Sequence, residues 1–155
     1  MKKITEIRII HQLDEIPETS YLDSKYDGDT QTIVSSCQYT NDTIKQYGFE
    51  RVKEWIDEDH KRLLNYGNTW WCIGIQAVAK IHILDNPMAG HHIVIPVTTP
   101  GLWGIESDSD KSYLDDVGNS ELITLKEILM ELGFTEDEFD KAVKESDPIS
   151  IPIDM

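Results

Sequence analysis

Apolar and polar positions alternate with a period of two at the start of the chain. Thr5, Ile7, Ile9 and Leu13 share one face, and Glu6, Arg8 and Gln12 take the other. Such alternation predicts a strand with one buried face, ended by Pro17. From residue 18 to 41 the composition turns to Asp, Ser, Thr, Gly and Tyr, with a turn signal at Asp27-Gly28. This region reads as loop, with Thr32-Ile33-Val34 as a short extra strand. Phe49, Val52, Ile56 and Leu63 then recur at three-, four- and seven-residue spacing. With Trp55 widening the stripe, they predict a helix within 42–65, and Asn65 and Gly67 supply its stop.

The strongest β signal follows. Trp71, Ile73, Ile75, Ala77, Ala79, Ile81 and Ile83 occupy one face without a polar interruption, while Cys72, Gly74, Gln76, Val78, Lys80 and His82 take the other. Residues 85–90 read as a hairpin loop, and His91, Ile93, Ile95 and Val97 as the returning strand. Pro96 lacks the N–H a central ladder needs, so this strand is expected at an edge or with a bulge. Leu122, Leu125, Ile128, Leu129 and Leu132 predict an amphipathic helix, capped near Asn119 or Ser120 and closed by Gly133. A last helix starts at Thr135, whose spacing to Glu138 fits a capping box, and buries Phe139, Ala142 and Val143. Pro148 stops it, leaving 149–155 as a tail. The order predicts an α+β fold: a small antiparallel sheet of three or more strands with helices packed on one face. Nothing in that pattern needs a cofactor to complete the core.

Length fits a single domain over residues 1–155. The N-terminus carries basic residues but then alternates, and no stretch approaches the roughly 20 apolar residues that span a bilayer, so a cytoplasmic protein is expected. Cys37 and Cys72 form no C-x-x-C pair and read as buried thiols. Charge sharpens the picture most. The chain carries a formal −15, and from Glu106 to Asp154 there are 15 acidic residues against four lysines, a net −11. So concentrated a field favours basic partners and disfavours nucleic acid and anionic membrane.

The segments Trp71-Cys72-Ile73-Gly74-Ile75-Gln76-Ala77-Val78-Ala79-Lys80-Ile81 and Gly101-Leu102-Trp103-Gly104-Ile105-Glu106-Ser107-Asp108-Ser109 together resemble a family of small, uncharacterised proteins of bacterial genomes, phages and other mobile elements. The resemblance covers about residues 66 to 133, and the second segment is its specific part. Thr99-Pro100 stands where that family has Ser-Gly, so the turn into the block is built differently. The resemblance implies a shared architecture and a mobile-element origin. It transfers no catalytic residue.

Glu106, Asp108 and Asp110 alternate after a strand, as carboxylates do when they converge on a hard cation. The pattern departs from an EF-hand: counting from Asp108, Tyr113 stands at the glycine position and Asn119 at the closing glutamate. A solvated cluster at a helix start is the plainer reading. His91 and His92 leave opposite faces of a strand, and with His82 they give at most two imidazoles and no third ligand. No nucleophile elbow, phosphate loop or zinc-protease motif occurs. Of the four tryptophans, Trp71 and Trp103 read as core, whereas Trp70 projects the other way and is expected at a partner surface.

These readings favour a non-enzymatic acidic interaction module. Its expected contact residues are Trp70, Glu106, Asp108, Asp110, Glu136, Asp137, Asp140 and Glu145, and its expected partner is a basic protein. The sharper form is an anti-defence protein of a mobile element that imitates nucleic acid and occupies the binding site of a host defence protein, without binding nucleic acid itself. Two alternatives stand beside it: a metal-assisted hydrolase using Glu106, Asp108 and Asp110, and an assembly subunit that oligomerises through the Pro96 edge or the Trp70 face.

Overall fold

The computed structural model describes residues 1–86, 88, 90–148 and 150–151. In chain order the elements are β1 (Lys2–Leu13), β2 (Lys25–Asp27), β3 (Thr32–Ser35), α1 (Asn41–Tyr47), α2 (Phe49–Leu64), β4 (Cys72–Asn86), β5 (His91–Thr98), β6 (Leu102–Glu106), α3 (Lys111–Glu131), α4 (Glu136–Ser146) and β7 (Ser150–Ile151). The fold is α+β. The chain divides into two compact units, one formed by residues 1–14 and 72–155 and the other by residues 15–71.

The larger unit is built on β4. One edge of this long strand pairs antiparallel with β1 along nearly its whole length. The other edge is shared end to end, β6 pairing with Cys72–Ile75 and β5 with Val78–Asn86. β5 lies at the edge of the sheet, as Pro96 predicts. A buried threonine stitches the junction between the two short strands: Thr99 N–H donates to the Ala77 carbonyl at 3.0 Å, and Ala77 N–H donates to the Thr99 hydroxyl at 3.0 Å. The tail expected at 149–155 lies outside the described residues apart from β7, which pairs in parallel with Ile9 and Ile10. Part of the hairpin loop expected at 85–90 also lies outside them.

The predicted apolar face of β4 is buried from Ile73 to Ile81, packed with Leu125, Leu129, Phe139 and Ala142 of the two helices at one end and Val117 of α3 at the other. β1 departs from its expected register. A bulge between Ile4 and Glu6 puts Ile4 on the buried face with Ile7 and Ile9 and leaves Thr5 exposed, because the extra residue resets the period of two. Leu13, expected inside, is exposed at the strand end. α3 begins at Lys111, about two turns before the expected cap at Asn119 or Ser120. Gly118 is buried within the helix, and a methyl group there would come within 3.2 Å of Ile9. Its bare Cα lets α3 lie close on β1.

In the smaller unit the helix expected within 42–65 is α2, which carries the whole apolar stripe and stops at Asn65, and a further short helix, α1, precedes it. Gly48, at φ 89° and ψ 148°, ends α1 and opens α2, a backbone region essentially reserved for glycine. Val52 and Ile56 are buried. The loop region holds the predicted extra strand, β3, paired antiparallel with β2. Tyr39 stacks on Trp55 and donates to Asp59 at 3.1 Å, and Tyr47 meets the same indole edge-on. Burial, then the hydrogen bond to the Asp59 carboxylate, pushes the Tyr39 phenol up to about 12.

Candidate functional site

The acidic surface is carried by the segment from the end of β6 through α4. After Ile105 the chain turns tightly, Ser109 donating from both its N–H and its hydroxyl to the Glu106 carbonyl at 3.0 and 2.6 Å. Asp110 is the N-cap position of α3, and Lys111 reaches forward to Asp115 at 2.6 Å. Among the described residues no three His, Cys, Asp or Glu side chains come together as a metal cluster. Glu106, Asp108 and Asp110 are laid out along a turn and a helix start.

α3 carries no basic residue in its last turn. Lys2 supplies the positive charge from β1, donating to the Leu132 carbonyl at 2.7 Å where the helix dipole is negative. The chain passes through Gly133, at φ 97°, into the capping box expected at Thr135 and Glu138. Glu136, Asp137 and Glu138 fill the first turn of α4, where carboxylates favour the dipole.

The structure sorts the expected contact residues. Glu136 and Asp140 both face Lys126, at 2.5 and 3.7 Å, and Glu145 lies 3.9 Å from Lys141. The hydrogen bond with Lys126 holds the Glu136 carboxyl below its ordinary range and raises Lys126. These carboxylates are exposed yet partly neutralised, and one lysine pins α4 to α3. Asp137 is exposed and makes no ion pair among the described residues; the same holds for Asp116, Glu127 and Glu131 of α3. Nothing in charge counting separates the two sets, because the distinction is one of reach.

Trp70 is not a surface residue. It is fully buried, its indole N–H donating to the Arg62 carbonyl at 2.8 Å, with the Arg62 guanidinium over one face and Tyr66 edge-on. Strand alternation misplaces it because β4 starts only at Cys72, so Trp70 belongs to the turn after α2. Trp103 corrects in the opposite sense. Expected in the core, it is 41% exposed and lies flat on the far face of the sheet, where a methyl group at Gly74 would fall 2.2 Å from its ring. Its indole N–H donates to the Pro100 carbonyl at 2.9 Å. Cys37 is exposed where burial is expected, whereas Cys72 is buried; both are free thiols.

A second polar feature lies beside β1, in a cavity of about 600 Å³ lined by Glu6, Arg8, Lys80, His82, Ser146 and Asp147, among others. Glu6 bonds Arg8 and sits 2.8 Å from Lys80, so hydrogen bonds from Lys80 and then Arg8 lower its carboxyl. The Ser146 hydroxyl accepts from the Ile7 N–H at 2.9 Å. Cations and anions are mixed here, Arg8 and Lys80 among Glu6, Glu145 and Asp147. His82 stacks on His92 with parallel rings 5.7 Å apart; the side chain of His91 lies outside the described residues.

No protein-family model, curated protein or solved structure matches the chain. None of the described helices is long and apolar enough to cross a membrane.

Proposed function

We propose that this protein is a non-enzymatic interaction module that meets a basic partner through the α3–α4 layer. The supporting observation is the distribution of charge over that layer. Its acids line two packed helices that bury Leu125, Leu129, Phe139 and Ala142 in the core, while Lys111, Lys126 and Lys141 are engaged by acids of the same layer. The net negative field therefore points outward and acts on a partner more than on the fold.

The finer form of the proposal is a carboxylate array that stands in for phosphates at the nucleic-acid site of a host defence protein. The likeness to proteins of phages and mobile elements motivates it, as does a charge that offers a phosphate backbone no counterion release.

The test is anisotropy of the labelled protein against basic nucleic-acid-binding domains, with and without competing DNA duplex. Binding is expected to weaken with salt, to be displaced by DNA, and to be lost when Glu127, Glu131 and Asp137 are changed together to lysine. These three avoid the Lys126 clamp, so α4 stays docked in the variant. Binding that survives the triple reversal unchanged would remove the acidic layer from the contact.

A further inference from the structure

Residues 91–105 contain no Asp, Glu, Lys or Arg, in a chain whose residues are 28% charged. The structure places this stretch along one edge of the sheet, as β5 and β6 end to end on β4. It is also well exposed: Ile93, Val94 and Ile95 of β5 and Leu102 and Trp103 of β6 each show over two fifths of their surface. Natural edge strands are normally guarded by charges that discourage pairing. From His91 to Ile105 this edge carries none, and Glu106 at the far end of β6 is its first.

The direction of its backbone groups follows from the ladder. Thr99 N–H points at Ala77 of β4, and antiparallel groups alternate, so the N–H groups of Val97, Ile95 and Ile93 also point inward. Those of His92, Val94 and Thr98 point outward, and Pro96 occupies the remaining outward position, where its missing donor costs β4 nothing. The open edge therefore offers three donors and, at His92, Val94, Pro96 and Thr98, four acceptors. On the helix side of the sheet, Ile93 and Ile95 stand opposite Ile83 and Ile81 but remain uncovered, because α3 and α4 pack over β4 and β1.

We infer that β5 is a self-association edge, pairing antiparallel with β5 of a second copy of this chain across a twofold axis near Val94. The occupant follows from charge and symmetry. A basic partner is drawn to the acidic helices, whereas two copies of a −15 molecule approach most favourably where neither bears formal charge. An antiparallel edge is also complementary to itself, since its donors and acceptors read the same in both copies. Pairing would join Ile93 and Ile95 of both copies into one apolar cluster and continue the sheet through both chains.

Distance makes the repulsion tolerable. With strands about 4.8 Å apart, the two β4 strands would be separated by three spacings, roughly 14 Å, and the helices above them by no less. That exceeds the screening length of about 8 Å at physiological ionic strength. The residual repulsion predicts that salt strengthens this dimer, the opposite of its effect on a basic partner.

Sedimentation velocity of the full chain, from low to high micromolar concentration and in low and high NaCl, tests the inference. A concentration-dependent dimer that increases with salt is expected. Val94→Pro removes an outward donor that β4 does not use and should give a monomer with unchanged circular dichroism, while Val94→Thr should still dimerise. If the proline variant is unfolded, Val94→Lys decides, by placing a charge at the axis while keeping the donor. A wild-type chain that stays monomeric, a dimer indifferent to Val94→Pro and Val94→Lys, or a dimer that salt dissociates overturns the proposal.

Discussion

Gly74 and Trp103 are read together only in three dimensions. A glycine in the middle of an apolar strand marks a place where something approaches the backbone, and here it is the face of an indole, tied down by its bond to the Pro100 carbonyl. Gly74→Ala is accordingly expected to destabilise the fold by about 1–3 kcal/mol, the usual range for an overpacked contact. It should also free the indole, read as a red shift of Trp103 emission in a variant keeping that tryptophan alone. Unchanged stability and emission would mean that the ring does not rest on this glycine. A second residue-scale expectation concerns Tyr39, whose phenol is raised from 10.0 to about 12 by burial and then by the Asp59 hydrogen bond. The unfolded chain ionises this group first, so its stabilising effect is complete below pH 10 and lost as pH rises towards 12. Absorbance titration of tyrosinate should show a late component that Tyr39→Phe abolishes. Neither position is marked by composition: the partner of Gly74 lies 29 residues ahead in the chain, and nothing around Tyr39 announces Asp59.

Elements were legible where hydrophobic period and capping chemistry agree. The α4 start at Thr135, the buried face of β4 and the edge placement of β5 all follow from local rules. Two departures each turn on a single backbone residue. The bulge in β1 moves Ile4 inside, and Gly48 separates α2, which carries the whole apolar stripe, from a short preceding helix that the stripe does not announce. Gly118 stays within α3, where a methyl group would press on Ile9. Gly48→Ala is expected to cost about 1–3 kcal/mol, since only glycine adopts this φ and ψ without strain. Urea unfolding followed by circular dichroism would measure it, and an alanine variant as stable as the parent would show that the break can be rebuilt. The candidate site was half legible. Charge counting located the acidic segment, but which carboxylates Lys126 and Lys141 engage depends on how α4 folds against α3 and on its own helical register. Trp70 was misplaced by carrying strand alternation two residues beyond the end of β4.

At the scale of the whole molecule, the acidic helical layer and the uncharged β5 edge are distinct surfaces. Acids crowd the helical layer, while β5 bears no Asp, Glu, Lys or Arg, so the two proposed contacts respond to salt with opposite signs. Their common support is β4, which stays hydrogen-bonded along an edge that two separate strands must share. Where those strands part, the Thr99 side chain takes the place of a neighbouring strand for Ala77. The junction then opens only when the larger unit unfolds, and amide exchange can show this. Protection of the Ala77 amide should match that of Ile75 and Ala79 in the native chain. Thr99→Val should make Ala77 the fast-exchanging site on an otherwise slow strand, so that one hydroxyl decides whether β4 opens as a unit or at its middle.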